Sequence, residues 1–66
     1  MKILVNGAPR EVADALRLTE LLDELELAGK RVAVEVNEEL VPRSLHAEHV
    51  LAEGDRVEIV QAIGGG

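Results

Sequence analysis

Residues 53–66 read EGDRVEIVQAIGGG. Glu53, Gly54 and Asp55 are turn formers, and the residues after them alternate as a strand does. Val57 and Ile59 point one way, while Glu58, Val60 and Ala62 point the other. If Val57 and Ile59 pack inward, the strand belongs to a sheet covered on one face only. The stretch then runs into Gly64, Gly65 and Gly66, which carry no side chain with which to pack. We therefore expect a strand over 56–63 that closes a domain of residues 1–63, followed by a tail over 64–66. In the free protein that tail is expected to be disordered, since no side chain anchors it.

Working outward, the N-terminal KILV is a short strand that meets Asn6-Gly7. That dipeptide is the strongest two-residue hairpin signal, because both central residues of a type I′ turn need positive φ. A short return strand over 10–13 follows, with Pro9 at its start, and it reads as a sheet edge. Leu18, Leu21, Leu22 and Leu25 keep the i, i+3, i+4, i+7 spacing of one helical face. Thr19 is the expected N-cap and Gly29 the C′ residue of a helix over 19–28. Glu20, Asp23, Glu24 and Glu26 fall on its outer side, most simply a solvated face. RVAVEVN is a strand with Val32, Val34 and Val36 on one face and Ala33 and Glu35 on the other, and residues 37–39 turn the chain. LVPR is a short edge piece, and SLHAEH is one helical turn capped by Ser44. The sum is an α+β domain, a mixed sheet with one helix packed on one face. Ile3, Val5, Leu21, Leu22, Leu25, Val34, Val57 and Ile59 are its expected core.

Composition narrows the function. The chain has 66 residues, no Cys, no Phe, Tyr or Trp, and a net charge of −6. That is one small domain with an aliphatic core, near the lower size limit for independent folding. The acidic balance speaks against nucleic acid and against an anionic membrane surface, and favours a basic patch on a protein partner. No stretch approaches the ~20 apolar residues of a membrane span, and no secretory signal is present. We expect a cytoplasmic protein, monomeric when free.

Most catalytic arrangements are missing. There is no thiol nucleophile, Ser44 is the lone serine, and no glycine loop opens a helix. His46 and His49 stand at i, i+3 with Glu48 between them, yet no third metal ligand is apparent. Ordinary side chains in a connecting turn are the favoured assignment. On the outer face of the sheet, Leu4, Val60 and Ala62, with Ile63 at the margin, are expected to form an apolar patch for partner binding.

The tail has a chemistry of its own. A glycine thread fits a channel too narrow for side chains. The one reactive group it presents is the α-carboxylate of Gly66, which is inert to acyl transfer until its oxygen becomes a leaving group. Attack on the α-phosphate of ATP would make an acyl-adenylate, open to a sulfur or nitrogen nucleophile. Nothing in the chain binds ATP, so a separate enzyme must activate it. The protein is then a carrier and a substrate, not an enzyme.

With the strand order, VNEELVPR, EGDRVEIV and the terminal Gly-Gly together, the chain resembles the ubiquitin-like β-grasp sulfur carriers, in particular the ThiS family of thiamine biosynthesis. The resemblance covers the whole length. It implies that Gly66 is adenylated by an E1-like activating enzyme, which uses the ATP and magnesium, and becomes a thiocarboxylate. Gly65 is the penultimate tail residue, and Gly64 carries no assigned role. The resemblance further implies a sulfur-donor protein and thiazole synthase as acceptor, with no cofactor bound by the carrier itself. The small subunit of molybdopterin synthase, or another thiocarboxylate carrier, is an alternative, and a ubiquitin-like protein modifier is a second.

Overall fold

The computed structural model describes residues 1–61. The expected tail (64–66), and the two patch residues Ala62 and Ile63, lie outside the described residues. The elements run β1 (Lys2–Val5), β2 (Ala8–Glu11), α1 (Leu18–Glu24), β3 (Val32–Val36), β4 (Glu39–Val41), a 3₁₀ turn (Arg43–Leu45) and β5 (Arg56–Gln61). The strands form one sheet in the order β2-β1-β5-β3-β4. β5 lies parallel to β1 and antiparallel to β3. With the helix packed on one side, this mixed sheet is the ubiquitin-like β-grasp architecture expected from the sequence.

The first hairpin forms at Asn6-Gly7, with φ of 50° and 84° at the two residues. The return strand begins at Ala8, two residues earlier than expected, and Pro9 lies inside it opposite Leu4. In a two-residue hairpin the closing pair, Val5 and Ala8, is hydrogen-bonded, so the next pair is not. Pro9 thus falls where its missing N–H would face away from β1, and β2 is an edge strand as expected. The second hairpin turns at Asn37-Glu38, both at positive φ (53° and 69°), which leaves Glu39 in β4.

The helix departs most from its expected bounds. It starts at Leu18 with Arg17, not Thr19, as N-cap, and it ends at Glu24. Arg17 has no acceptor to offer. Instead the Glu20 carboxylate reaches back to accept the Arg17 N–H at 2.7 Å. The Leu18 and Thr19 N–H groups donate to the backbone oxygens of His49 (2.9 Å) and His46 (3.2 Å). Tertiary contacts therefore satisfy donors that a capping side chain would otherwise satisfy. At the other end the left-handed residue is Glu26 (φ 60°), not Gly29. The Leu27 N–H donates to Leu22 and the Glu26 N–H to Asp23, the paired bonds of a Schellman motif. Gly29 (φ 79°) serves a separate turn closed by the Lys30 N–H on the Leu27 carbonyl. Nor does Ser44 cap a helix. The 3₁₀ turn includes Ser44 as an inner residue and is preceded by Pro42.

The core is wholly aliphatic apart from one imidazole. Ile3, Leu18, Leu21, Val34 and Val57 are fully buried, and Val12, Leu16, Leu22, Val36, Val41, Leu51 and Ile59 complete it. Val5 and Leu25, expected in the core, are half-buried and pack against its margin. Leu25 is the helix C-cap, so it leaves the buried stripe as the chain turns away. His46 is 4% exposed, and its Nε2 lies 2.9 Å from the Val41 carbonyl. It is a core residue, not a turn residue at the surface.

Burial separates the two leucines in a way that can be measured. Leu21→Ala should lose about 2–5 kcal/mol, the usual cost of emptying a buried leucine site. Leu25→Ala should lose clearly less. Urea unfolding with an unchanged m-value would read both, and equal losses would contradict the burial difference.

Candidate functional site

The site to be built is the end of β5, where the chain passes beyond Gln61. β5 is the central strand. Val57 and Ile59 are buried beneath the helix, while Glu58 and Val60 are exposed on the opposite face. The face assignment of the sequence holds for these residues. On one side β5 pairs with β3 along its whole length, from Val36 opposite Val57 to Val32 opposite Gln61. On the other side β1 pairs only with Arg56 and Val57, because the chain then turns at Asn6.

Asn6 fills the gap that this turn leaves. Its backbone N–H donates to the Val57 carbonyl at 2.8 Å. Its side-chain Oδ1 accepts the Ile59 N–H at 2.7 Å, and its Nδ2 donates to the Ile59 carbonyl at 3.2 Å. The carboxamide thus replaces one residue of β1, extending the ladder past the hairpin. At the start of β5, Asn37 does the same work from the second hairpin. Its Oδ1 accepts the Arg56 N–H at 3.0 Å, and its Nδ2 donates to Asp55 Oδ1 at 3.0 Å. Asparagine tolerates positive φ and carries an amide, so one residue type meets both demands. The sequence pointed to Asn6 as a turn residue, but its second role needs β5 alongside and leaves no local signal.

The expected apolar patch is divided. Leu4 and Val60 do share the outer face, but Leu4 is half-buried and stands opposite Arg56. Val60 lies four residues further along β5, roughly 13 Å away at strand rise. Glu58 intervenes. The apolar neighbour of Val60 is Ala33, directly opposite it on β3. Val60 is 66% exposed, the most exposed large apolar residue among those described. Beside this pair, Glu58 and Glu35 face each other across β5 and β3. Like charges so placed are mutually destabilising by a few tenths to about 1 kcal/mol.

The histidines do not make a metal site. His46 is buried on Val41, His49 is half-buried, and no group of three or more metal-ligating side chains occurs among the described residues. No helix among them is long and apolar enough to cross a membrane. Gly66, Gly65 and Gly64, with Ala62 and Ile63, lie beyond the described residues.

Comparison with known proteins adds four findings. The model of the ThiS family matches residues 3–66, the terminal glycines included. The sulfur carrier protein ThiS of Escherichia coli is 33% identical over 66 residues, all of both chains. A thiazole synthase of Paramagnetospirillum magneticum is 42% identical over 66 residues, and this chain spans only 20% of that protein's length. In structure, the chain is similar to the thiamine biosynthesis protein (ThiS) of Geobacter metallireducens, with a TM-score of 0.85, 39% identity and full coverage of both chains.

The Asn6 amide can be tested apart from its turn. Asn6→Gly keeps the left-handed turn but removes the carboxamide. The Ile59 amide should then exchange with solvent about tenfold faster or more, while the Val34 amide is little changed, since only the local opening cost falls. Unchanged exchange at Ile59 would show that the carboxamide does not hold the strand.

Proposed function

The chain belongs to the ThiS family, and from that membership we propose that it is a sulfur carrier for thiamine biosynthesis, loaded on the carboxylate of Gly66. The observation that carries the proposal is the full-length match, which runs through the terminal glycines on a fold whose central strand leads into them. A carrier of this kind is acted upon and is not itself an enzyme.

The chemistry is acyl activation. A Gly66 carboxylate oxygen attacks the α-phosphorus of ATP, the bond to the β-phosphate oxygen breaks, and pyrophosphate leaves. The mixed anhydride is then attacked at its carbonyl carbon by a sulfide-equivalent nucleophile. AMP departs with the original carboxylate oxygen, and a thiocarboxylate remains on Gly66. This chain supplies the carboxylate and its presentation. An E1-like enzyme supplies the ATP and magnesium site, and a sulfur-donor protein supplies the sulfur. Gly65 and Gly64 leave the thread narrow enough to enter such a site.

Thiazole synthase is the proposed acceptor. The thiazole synthases of Paramagnetospirillum magneticum and Magnetococcus marinus each contain a stretch 42% identical to this chain, one fifth of their length. Their covalent union of the two parts supports a working association between this domain and that enzyme. The docking surface we propose is the outer face at the end of β5, made by Val60 with Ala33; Ala62 and Ile63, expected in it from the sequence, lie outside the described residues. Leu4 stands apart from it, against Arg56. The exposed Glu58 and Glu35 beside it favour a basic partner surface.

Two experiments check this. Removal of Gly66 retracts the carboxylate by about 3.5 Å, and adding one residue after it advances the carboxylate by as much. Misplacement of ~1 Å can already cost about a hundredfold in rate. With activating enzyme, ATP, magnesium and a sulfur donor, wild type should gain the mass difference of sulfur over oxygen, and neither variant should. Sulfur gain by the extended variant at the wild-type rate would remove Gly66 from this role. Val60→Asp should weaken the complex with the activating enzyme while the thermal melt is retained. Unchanged binding would make the Val60 surface incidental.

A further inference from the structure

A groove of about 250 Å³ opens on the helix side of the sheet, between the end of α1 and the start of β3. Its floor is apolar: Leu22, and the half-buried Leu27 and Val32. Its rim carries Lys30 and Arg43, with Asp23 as the one carboxylate. Among the described residues neither cation makes an ion pair. What sets these two cations apart is their place, on the rim of an apolar hollow with a single carboxylate beside them.

Size decides what the groove can take. Small-molecule and cofactor pockets run to roughly 300–1,000 Å³ and enclose most of the ligand. This groove is smaller and open to one side, and it suits a single apolar side chain of the kind that anchors a protein interface. Position decides whose side chain. Val32 on the groove wall is directly opposite Gln61 at the end of β5. Residues 62–66 extend at most about 18 Å from there. An enzyme that takes up the Gly66 carboxylate therefore comes within that distance of Gln61, and so near the groove beside Val32.

We propose that this groove seats an apolar side chain carried on an acidic loop of the activating enzyme. The loop's carboxylates pair with Lys30 and Arg43. The carrier is then gripped on both faces of the sheet, by Val60 and Ala33 outside and by the groove inside. This rests on the activation of Gly66 by a separate adenylating enzyme.

The test is ATP–pyrophosphate exchange by the activating enzyme as a function of carrier concentration. Wild type is compared with the double variant Lys30→Glu with Arg43→Glu, with Ala28→Trp, and with Lys2→Glu. Ala28→Trp fills the groove from its exposed rim without touching the charges. Lys2→Glu makes a charge reversal at the far end of the domain. Thermal melts confirm that each is folded. The double variant and Ala28→Trp should each raise KM about tenfold or more, the scale of a lost anchor contact, with kcat within about twofold. Lys2→Glu should leave KM close to wild type. KM unchanged by Ala28→Trp, or raised as much by Lys2→Glu as by the double variant, overturns the proposal. If a second copy of this chain is the occupant, wild type will sediment as a dimer and Ala28→Trp as a monomer, which also overturns it. Absence of exchange with wild type itself would instead overturn the activation of Gly66.

Discussion

The structure depends on the way β5 is held. A central strand must have both edges satisfied, since an unpaired N–H or carbonyl in a sheet interior costs on the order of 1–3 kcal/mol. β3 satisfies one edge throughout. β1 is too short to satisfy the other, because the hairpin that keeps β2 close also turns β1 away. The Asn6 carboxamide resolves the conflict by bonding both polar groups of Ile59. With that bond, Ile59 stays beneath the helix and Val60 stays outward. The strand from which a carrier presents its terminus is thus held on both edges.

An aliphatic core shapes the margins of the domain. Without Phe, Tyr or Trp, the space between the helix and the ends of the sheet is filled by branched side chains of limited reach. They close the centre completely: Ile3, Leu18, Leu21, Val34 and Val57 are buried. They do not close the ends, where Val5, Leu25, Leu27 and Val32 remain half-exposed to solvent. One polar group is drawn into the remaining room. His46 is accepted in the core because its ring nitrogen meets the Val41 carbonyl, so its polar edge is not stranded. The same incomplete closure leaves the groove beside Val32.

Local patterns in the sequence were sufficient wherever the structure is determined locally. Asn6-Gly7 announced a hairpin, the valines of β3 announced a half-buried strand, and the alternation of β5 assigned its faces. Where a residue answers to a distant partner, the local pattern misled. Thr19 is a good N-cap by type, but the helix begins earlier, because the His46 and His49 carbonyls satisfy its first N–H groups. Gly29 is a good C′ residue by type. The helix has already ended at Glu24, and the left-handed Glu26 lets the Leu27 N–H return onto the Leu22 carbonyl. Leu4 and Val60 were placed on the correct face, but their separation along it depends on the β1–β5 register, and alternation says nothing of register. For the tail, the composition left Gly66 as the plausible reactive group, and the family resemblance named the chemistry.

The distribution of charge follows from the same demands. Fold stability alone would not place Glu35 opposite Glu58, since the pair costs energy in the free domain and a neutral or opposite charge would not. The pair lies on the outer face of the sheet, next to Val60 and Ala33. Lys30 and Arg43 flank the groove on the helix face. Under the proposed docking, a partner's opposite charges would relieve the first and pair the second. Such contacts add to encounter rate and selectivity more than to lasting affinity. A carrier whose complexes must form and dissociate in turn is served by charges of that kind.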